Sequence, residues 1–112
     1  MSRYMQIDIR LVPFYEKGFA EHFQGIASLF KKGGYQKKLD DASLYLIVDY
    51  LVDMACDPDV SPDIKDRIAP YVIKMKALKE TARERLLSRK LEELDQLLYQ
   101  IEDQFEDLER KV

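Results

Sequence analysis

A chain of 112 residues with 46% hydrophobic and 35% charged side chains holds one small core beneath a heavily charged surface. Four glycines and four prolines leave little loop and exclude a low-complexity or collagen-like chain, and a net charge of -3 gives no generic attraction to nucleic acid. The single cysteine excludes an internal disulfide, MSRYMQIDIR lacks the apolar region of a signal peptide, and the longest apolar run, residues 44–48, is too short to span a bilayer, so a cytoplasmic protein with no membrane partner is expected.

In residues 1–12, Met5, Ile7, Ile9 and Leu11 alternate with Gln6, Asp8 and Arg10, a strand period. No second strand follows to pair with it, so the segment reads as an N-terminal arm or, by preference, as the lead-in to a helix. Pro13 fits a first helical turn, and Tyr15, Phe19, Phe23, Ile26 and Phe30 then form an aromatic stripe that ends at Lys31, Lys32, Gly33 and Gly34. Gly18 and Gly25 lie seven apart on one face and would admit a close neighbour, although glycine without purpose is an equal reading. Asp40 or Asp41 is placed to cap a second helix through ASLYLIVDYLVDMAC, which is apolar nearly all round and should be the most buried element.

Pro58 should stop that helix, and Ser61 followed by Pro62 reads as the cap and first position of the next. Ile64, Ile68, Tyr71, Met75, Leu78 and Ala82 make its inner stripe, with Pro70 predicting a kink or restart. Beyond Ala82 the stripe changes phase. Either the helix breaks within residues 81–87, or one long helix serves two partners. The expected fold is all-α: a single domain over 1–112, a small antiparallel bundle of three to four helices, with a long coiled-coil-like helix over 83–112.

The C-terminal stripe runs Leu87, Leu91, Leu94, Leu98, Ile101, Phe105, Leu108 and Val112, a heptad seam. The first two helices, at four to five turns each, are too short to cover apolar surface from 64 to 112. The seam therefore marks the candidate partner-binding residues, for a second antiparallel copy or a different protein. Leu97 widens the stripe and Phe105 fits a two-stranded zipper poorly, so packing on the chain's own bundle competes with that reading. Charge follows the same division. Residues 74–90 carry seven cations against Glu80 and Glu84, a net +5, and residues 91–112 carry a net -6. An antiparallel copy would set Arg83, Arg85 and Arg89 opposite Glu102, Asp103, Glu106 and Asp107. Exchanging Leu98 and Ile101 for Asp would then leave a folded monomer.

No catalytic, metal or cofactor site is expected. His22 and Cys56 have no visible partner, and Cys56 reads as a small buried apolar group. Asp49, Asp53 and Asp57 recur at i, i+4, i+8 without the Glu-x-x-His of a dinuclear site. Asp57, Asp59, Ser61 and Asp63 imitate a calcium loop, but Pro62 and Ile68 stand where glycine and glutamate are required. The chain reads as a non-enzymatic helical protein-interaction module. A nucleic-acid-associated regulator using the basic stretch from Lys74 to Lys90 ranks second, because the cations do not share one face and no aromatic residues interleave with them.

The segments KKGGYQKKLDDASLYL, SPDIKDRIAPYVIKM and RERLLSRKLEEL follow one another in an order that resembles the FliT-type flagellar export chaperones, over about residues 26–98. The N-terminal arm and the acidic end have no counterpart in that pattern. The resemblance implies a four-helix chaperone with an apolar, helical partner-binding surface that its C-terminal helix could mask.

Overall fold

The computed structural model of the chain describes Tyr4, Leu11, residues 18–39 and residues 42–112. The arm or lead-in at 1–12, apart from Tyr4 and Leu11, lies outside the described residues, as do Pro13, Tyr15, Asp40 and Asp41. Every described element is helical: α1 (Phe19–His22), α2 (Gln24–Lys32), a 3-10 turn (Gln36–Leu39), α3 (Leu44–Cys56), α4 (Pro62–Leu87) and α5 (Leu91–Lys111). The all-α bundle with a long C-terminal helix is thus the observed architecture.

Local chemistry explains most of the boundaries. The aromatic stripe spans two helices rather than one, because Phe23 leaves helical conformation at φ -125°, ψ 63°. Phe19 and Phe23 still stack, with ring centroids 5.1 Å apart. α2 ends in a Schellman motif. Tyr35 N–H donates to the Phe30 carbonyl (2.7 Å) and Gly34 N–H to the Lys31 carbonyl (3.3 Å), with Gly34 at φ 80°. The Tyr35 ring then meets the Phe30 ring edge-on at 6.5 Å, the apolar contact that accompanies this motif.

The cap of α3 is Ser43, whose hydroxyl accepts from Leu46 N–H (3.2 Å), rather than an aspartate two or three residues earlier. α4 begins as expected, with Ser61 accepting from Ile64 N–H and Pro62 at the first position. Pro70 does not restart α4, which is continuous from Pro62 to Leu87; the proline stands on the exposed face, where its ring points away from the packed side. α4 buries Ile64, Ile68, Val72, Met75 and Ala82, and Tyr71 and Leu78 are half-buried beside them.

The phase change after Ala82 marks a reversal of the chain. α4 stops at Leu87, residues 88–90 turn, and α5 runs back along α4. The C-terminal helix therefore begins at Leu91, and residues 83–87 belong to α4. The turn is a second Schellman motif: Lys90 N–H donates to the Arg85 carbonyl (2.9 Å) and Arg89 N–H to the Leu86 carbonyl (3.1 Å). Its left-handed position is held by Arg89, at φ 57°, the sole non-glycine residue with positive φ among those described. A side chain there costs about 1–2 kcal/mol. Arg89→Gly should accordingly raise stability by about 1 kcal/mol, read from the denaturation midpoint in urea. No gain would show that the arginine makes a compensating contact.

α2, α3, α4 and α5 enclose one core. Phe30, Phe105, Ile26, Ile47, Leu51, Met54, Ile68, Met75, Ile101, Leu108 and Val48 are its largest fully buried side chains. Among the described residues no helix is long and apolar enough to cross a membrane.

Candidate functional site

The α4–α5 hairpin splits the C-terminal stripe into two kinds of residue. Leu94, Ile101, Phe105 and Leu108 are at most 4% exposed within the chain's own bundle, and Leu98 is half-buried against the same core. These four buried side chains do not present themselves to a partner chain, which corrects the expectation that they carry an intermolecular contact. Phe105 shows why: its ring lies 6.4 Å from Phe19 and 6.0 Å from Phe23, inside the aromatic cluster formed by the start of the bundle. The stripe was not too long to be covered. Reversal at 88–90 lets the inner face of α4 cover the inner face of α5.

Leu87 and Leu91 are different. They flank the turn and are 70% and 53% exposed. Leu87 is the last residue of α4 and Leu91 the first of α5, so the three-residue turn holds both at one end of the bundle. Arg83, Arg89 and Lys90 are exposed beside them and form no ion pair among the described residues, whereas Arg85 is held by Glu93 (3.3 Å) and Glu84 (3.2 Å). The tip of the hairpin thus combines two exposed leucines with free cations, and a strained backbone at Arg89. Exposed apolar groups of this size, rimmed by charge, are a signature of contact surfaces, and local strain retained against a cheaper residue points the same way.

The outward face of α5 is acidic, with Glu92, Asp95, Glu102, Asp103 and Glu106 exposed and Tyr99 61% exposed at its middle. The Glu102 carboxyl is pushed up by partial burial and by the charges of Glu106, Asp103 and Asp95. Asp107 is neutralised within its own helix by Arg110 (2.9 Å). Of the residues expected to complement one another across a dimer, Arg85 and Asp107 are therefore already engaged inside the chain. Arg83, Arg89, Glu102, Asp103 and Glu106 remain exposed.

The basic stretch from Lys74 to Lys90 loses two cations to the fold. Arg85 is one. Lys79 is the other: its Nζ lies 2.7 Å from Asp49 Oδ2 and 4.2 Å from the Tyr45 ring centroid, pinning α4 to α3, with its side chain only 14% exposed. Two of the three aspartates that suggested a metal edge are likewise taken up, and Asp53 stays exposed. Asp49 holds Lys79, and Asp57 accepts from Tyr35 O–H (2.8 Å) and from Asp59 N–H (2.8 Å). No group of three or more metal-ligating side chains assembles among the described residues. Cys56 is exposed rather than buried. His22 lines an open depression with Phe23, Glu106, Glu109 and Arg110.

The Tyr35–Asp57 contact makes stability depend on pH at both ends. The Asp57 carboxyl lies below its usual range, first because of the Asp59 N–H and then the Tyr35 hydroxyl. Its contribution is present above the unfolded value of about 3.9 and is lost as pH falls through the lower folded value. The Tyr35 phenol is pushed up to about 12, chiefly by the hydrogen bond to Asp57, then by desolvation and the nearby carboxylates. Its contribution is present below about pH 10 and lost on the way to 12. In Tyr35→Phe this part of the alkaline loss should vanish, leaving that of the Tyr45 phenol, which burial also pushes up; urea midpoints of both chains measured from pH 9 to 12 decide the matter.

The most unexpected contact joins the two ends of the described chain. Phe23 offers no side-chain cap to α2, and Glu109 on α5 supplies one from 84 residues away. Its Oε2 accepts from Gly25 N–H (2.9 Å) and its Oε1 from Ile26 N–H (3.0 Å). A carboxylate at a helix N-terminus is favoured by the unsatisfied N–H groups and by the helix dipole. Gly25 makes the approach possible. A Cβ there would fall 2.7 Å from Val112 Cγ2 and 2.8 Å from Glu109 Oε2. Of the two glycines singled out for close packing, Gly25 has that role, while a Cβ at Gly18 would meet open space.

Comparison with known protein families, characterised proteins and solved structures finds no match to this chain.

Proposed function

We propose that this chain is a non-enzymatic helical protein-interaction module, a small cytosolic chaperone or adaptor, and that it meets its partner through the tip of the α4–α5 hairpin. The observation that carries the reading is the exposure of Leu87 and Leu91 beside unpaired Arg83, Arg89 and Lys90. Large apolar side chains held open by a rigid turn favour a partner that can bury them, each worth about 1.5–3 kcal/mol when fully covered. The resemblance to the FliT-type chaperones supports the same class of function and suggests flagellar or other secretion substrates as the partner proteins. A partner of that kind would bring an amphipathic segment with acidic neighbours, to match the cations at the tip.

The test is binding to purified secretion substrates, beginning with flagellar ones, by calorimetry. Binding that is weakened about tenfold or more by Leu87→Asp with Leu91→Asp, in a variant of unchanged helicity, is the expected outcome. Binding indifferent to both leucines would remove the tip from the proposal. Absence of binding to any such substrate would remove the chaperone assignment.

A further inference from the structure

The hairpin carries both halves of a complementary contact but cannot bring them together within one copy. The tip has Leu87, Leu91, Arg89 and Lys90 exposed, and the outward face of α5 has Tyr99 with Glu102, Asp103 and Glu106. α5 is a single straight run of 21 residues, about 31 Å long, so its own tip stays at one end while the acidic residues lie towards the other. We propose that the tip of one copy seats on the acidic, Tyr99-bearing face of α5 in a second copy, in an antiparallel two-fold pair. The inference rests on the reading of the chain as an interaction module and names its partner as the chain itself.

The register follows from the charges. Setting Arg89 of one copy level with Asp103 of the other also sets Lys90 level with Glu102, and places the two-fold axis at the height of Gln96. Gln96 then faces its own equivalent and Glu92 falls level with Gln100, while the two Asp95 side chains stand one residue either side of the axis, the one place where like charges approach. Both glutamines are exposed and uncharged. Leu91 comes level with Ile101, and Leu87, across the turn on α4, stays at the same end of the pair. Two-fold symmetry forms the contact twice, which a single pair of leucines could not sustain alone. This arrangement differs from a zipper through Leu94, Ile101 and Phe105, because those side chains stay in their own core.

Sedimentation velocity on the full chain tests the proposal. At about 20 mM salt and up to about 200 μM protein a dimer is expected, weakening about tenfold as salt rises to about 0.5 M. Arg89→Glu with Lys90→Glu should abolish it by setting acid against acid. Glu102→Lys, Asp103→Lys and Glu106→Lys together should abolish it by setting base against base. All five positions are exposed, so both variants should keep wild-type helicity. Mixing the two variants restores opposite charges at both contacts, and a mixed dimer should form. A wild-type monomer throughout this range overturns the proposal, as does a dimer that survives either charge reversal. A wild-type monomer leaves the calorimetric test of a different partner untouched, whereas a dimer through the tip should compete with such a partner. The Arg89→Glu, Lys90→Glu monomer and the Leu87→Asp, Leu91→Asp variant therefore tell the two readings apart.

Discussion

Phe105→Ala is expected to lower stability by about 3–5 kcal/mol, enough to threaten folding of a domain this small. Phe105 is fully buried, and its ring is the piece of α5 against which both Phe19 and Phe23 pack. Removing it leaves a cavity on which α1, α2 and α5 all border, and a helical scaffold cannot collapse into it without moving several elements. Urea denaturation at 25 °C measures the loss. Ile101→Asp should be harsher still, because it places a carboxylate in the core with no partner. The chain with Leu98 and Ile101 both changed to Asp is therefore expected to unfold rather than persist as a folded monomer. A folded Ile101→Asp chain would mean that α5 leaves the bundle readily.

Glu109→Ala should cost about 1–3 kcal/mol, through two partly buried N–H groups left without an acceptor at the start of α2. Glu109→Gln should lie between, since the amide keeps only one acceptor oxygen. Gly25→Ala acts on the same contact from the other side. Its methyl must push aside the ends of Val112 and Glu109, which are flexible, so the strain is small but the cap is disturbed. The better helix propensity of alanine offsets part of that loss, about 0.8–1.0 kcal/mol at most. The double variant should therefore cost less than the sum of the two single ones, because one cap cannot be lost twice. Strict additivity in a double-mutant cycle would show that Gly25 and Glu109 act independently.

Much of the fold was legible because it depends on short-range chemistry. Ser61 and Pro62 start α4 as their types require, and the stripe Ile64, Ile68, Met75, Ala82 is buried where its period places it. Gly34 ends α2 in the left-handed conformation that glycine accepts without cost. The break at Phe23 was not legible: an aromatic residue at helical spacing between Phe19 and Ile26 reads as the middle of a helix, and the ring still packs on Phe19 and Phe105 after the backbone has left helical conformation. The cap at Ser43 was hidden by the aspartates before it, which are equally good cap types.

The candidate site divides in the same way. Sequence alone determined that the last 26 residues carry an apolar seam and that charge reverses sign near Leu91, since periodicity and composition are local properties. Only the tertiary structure decided which part of that seam is available. The turn at 88–90 uses an arginine in a left-handed position, where the usual glycine signal is missing, so the reversal left no local mark beyond a change of phase. Once the chain turns back, Leu94, Ile101, Phe105 and Leu108 are covered by α4 and the aromatic cluster, and Leu87 and Leu91 are left open at the tip. The bond from Glu109 to Gly25 and Ile26 is of the same kind: it spans 84 and 83 residues, and no pattern within a window of sequence reports a contact made by folding one end of a chain onto the other.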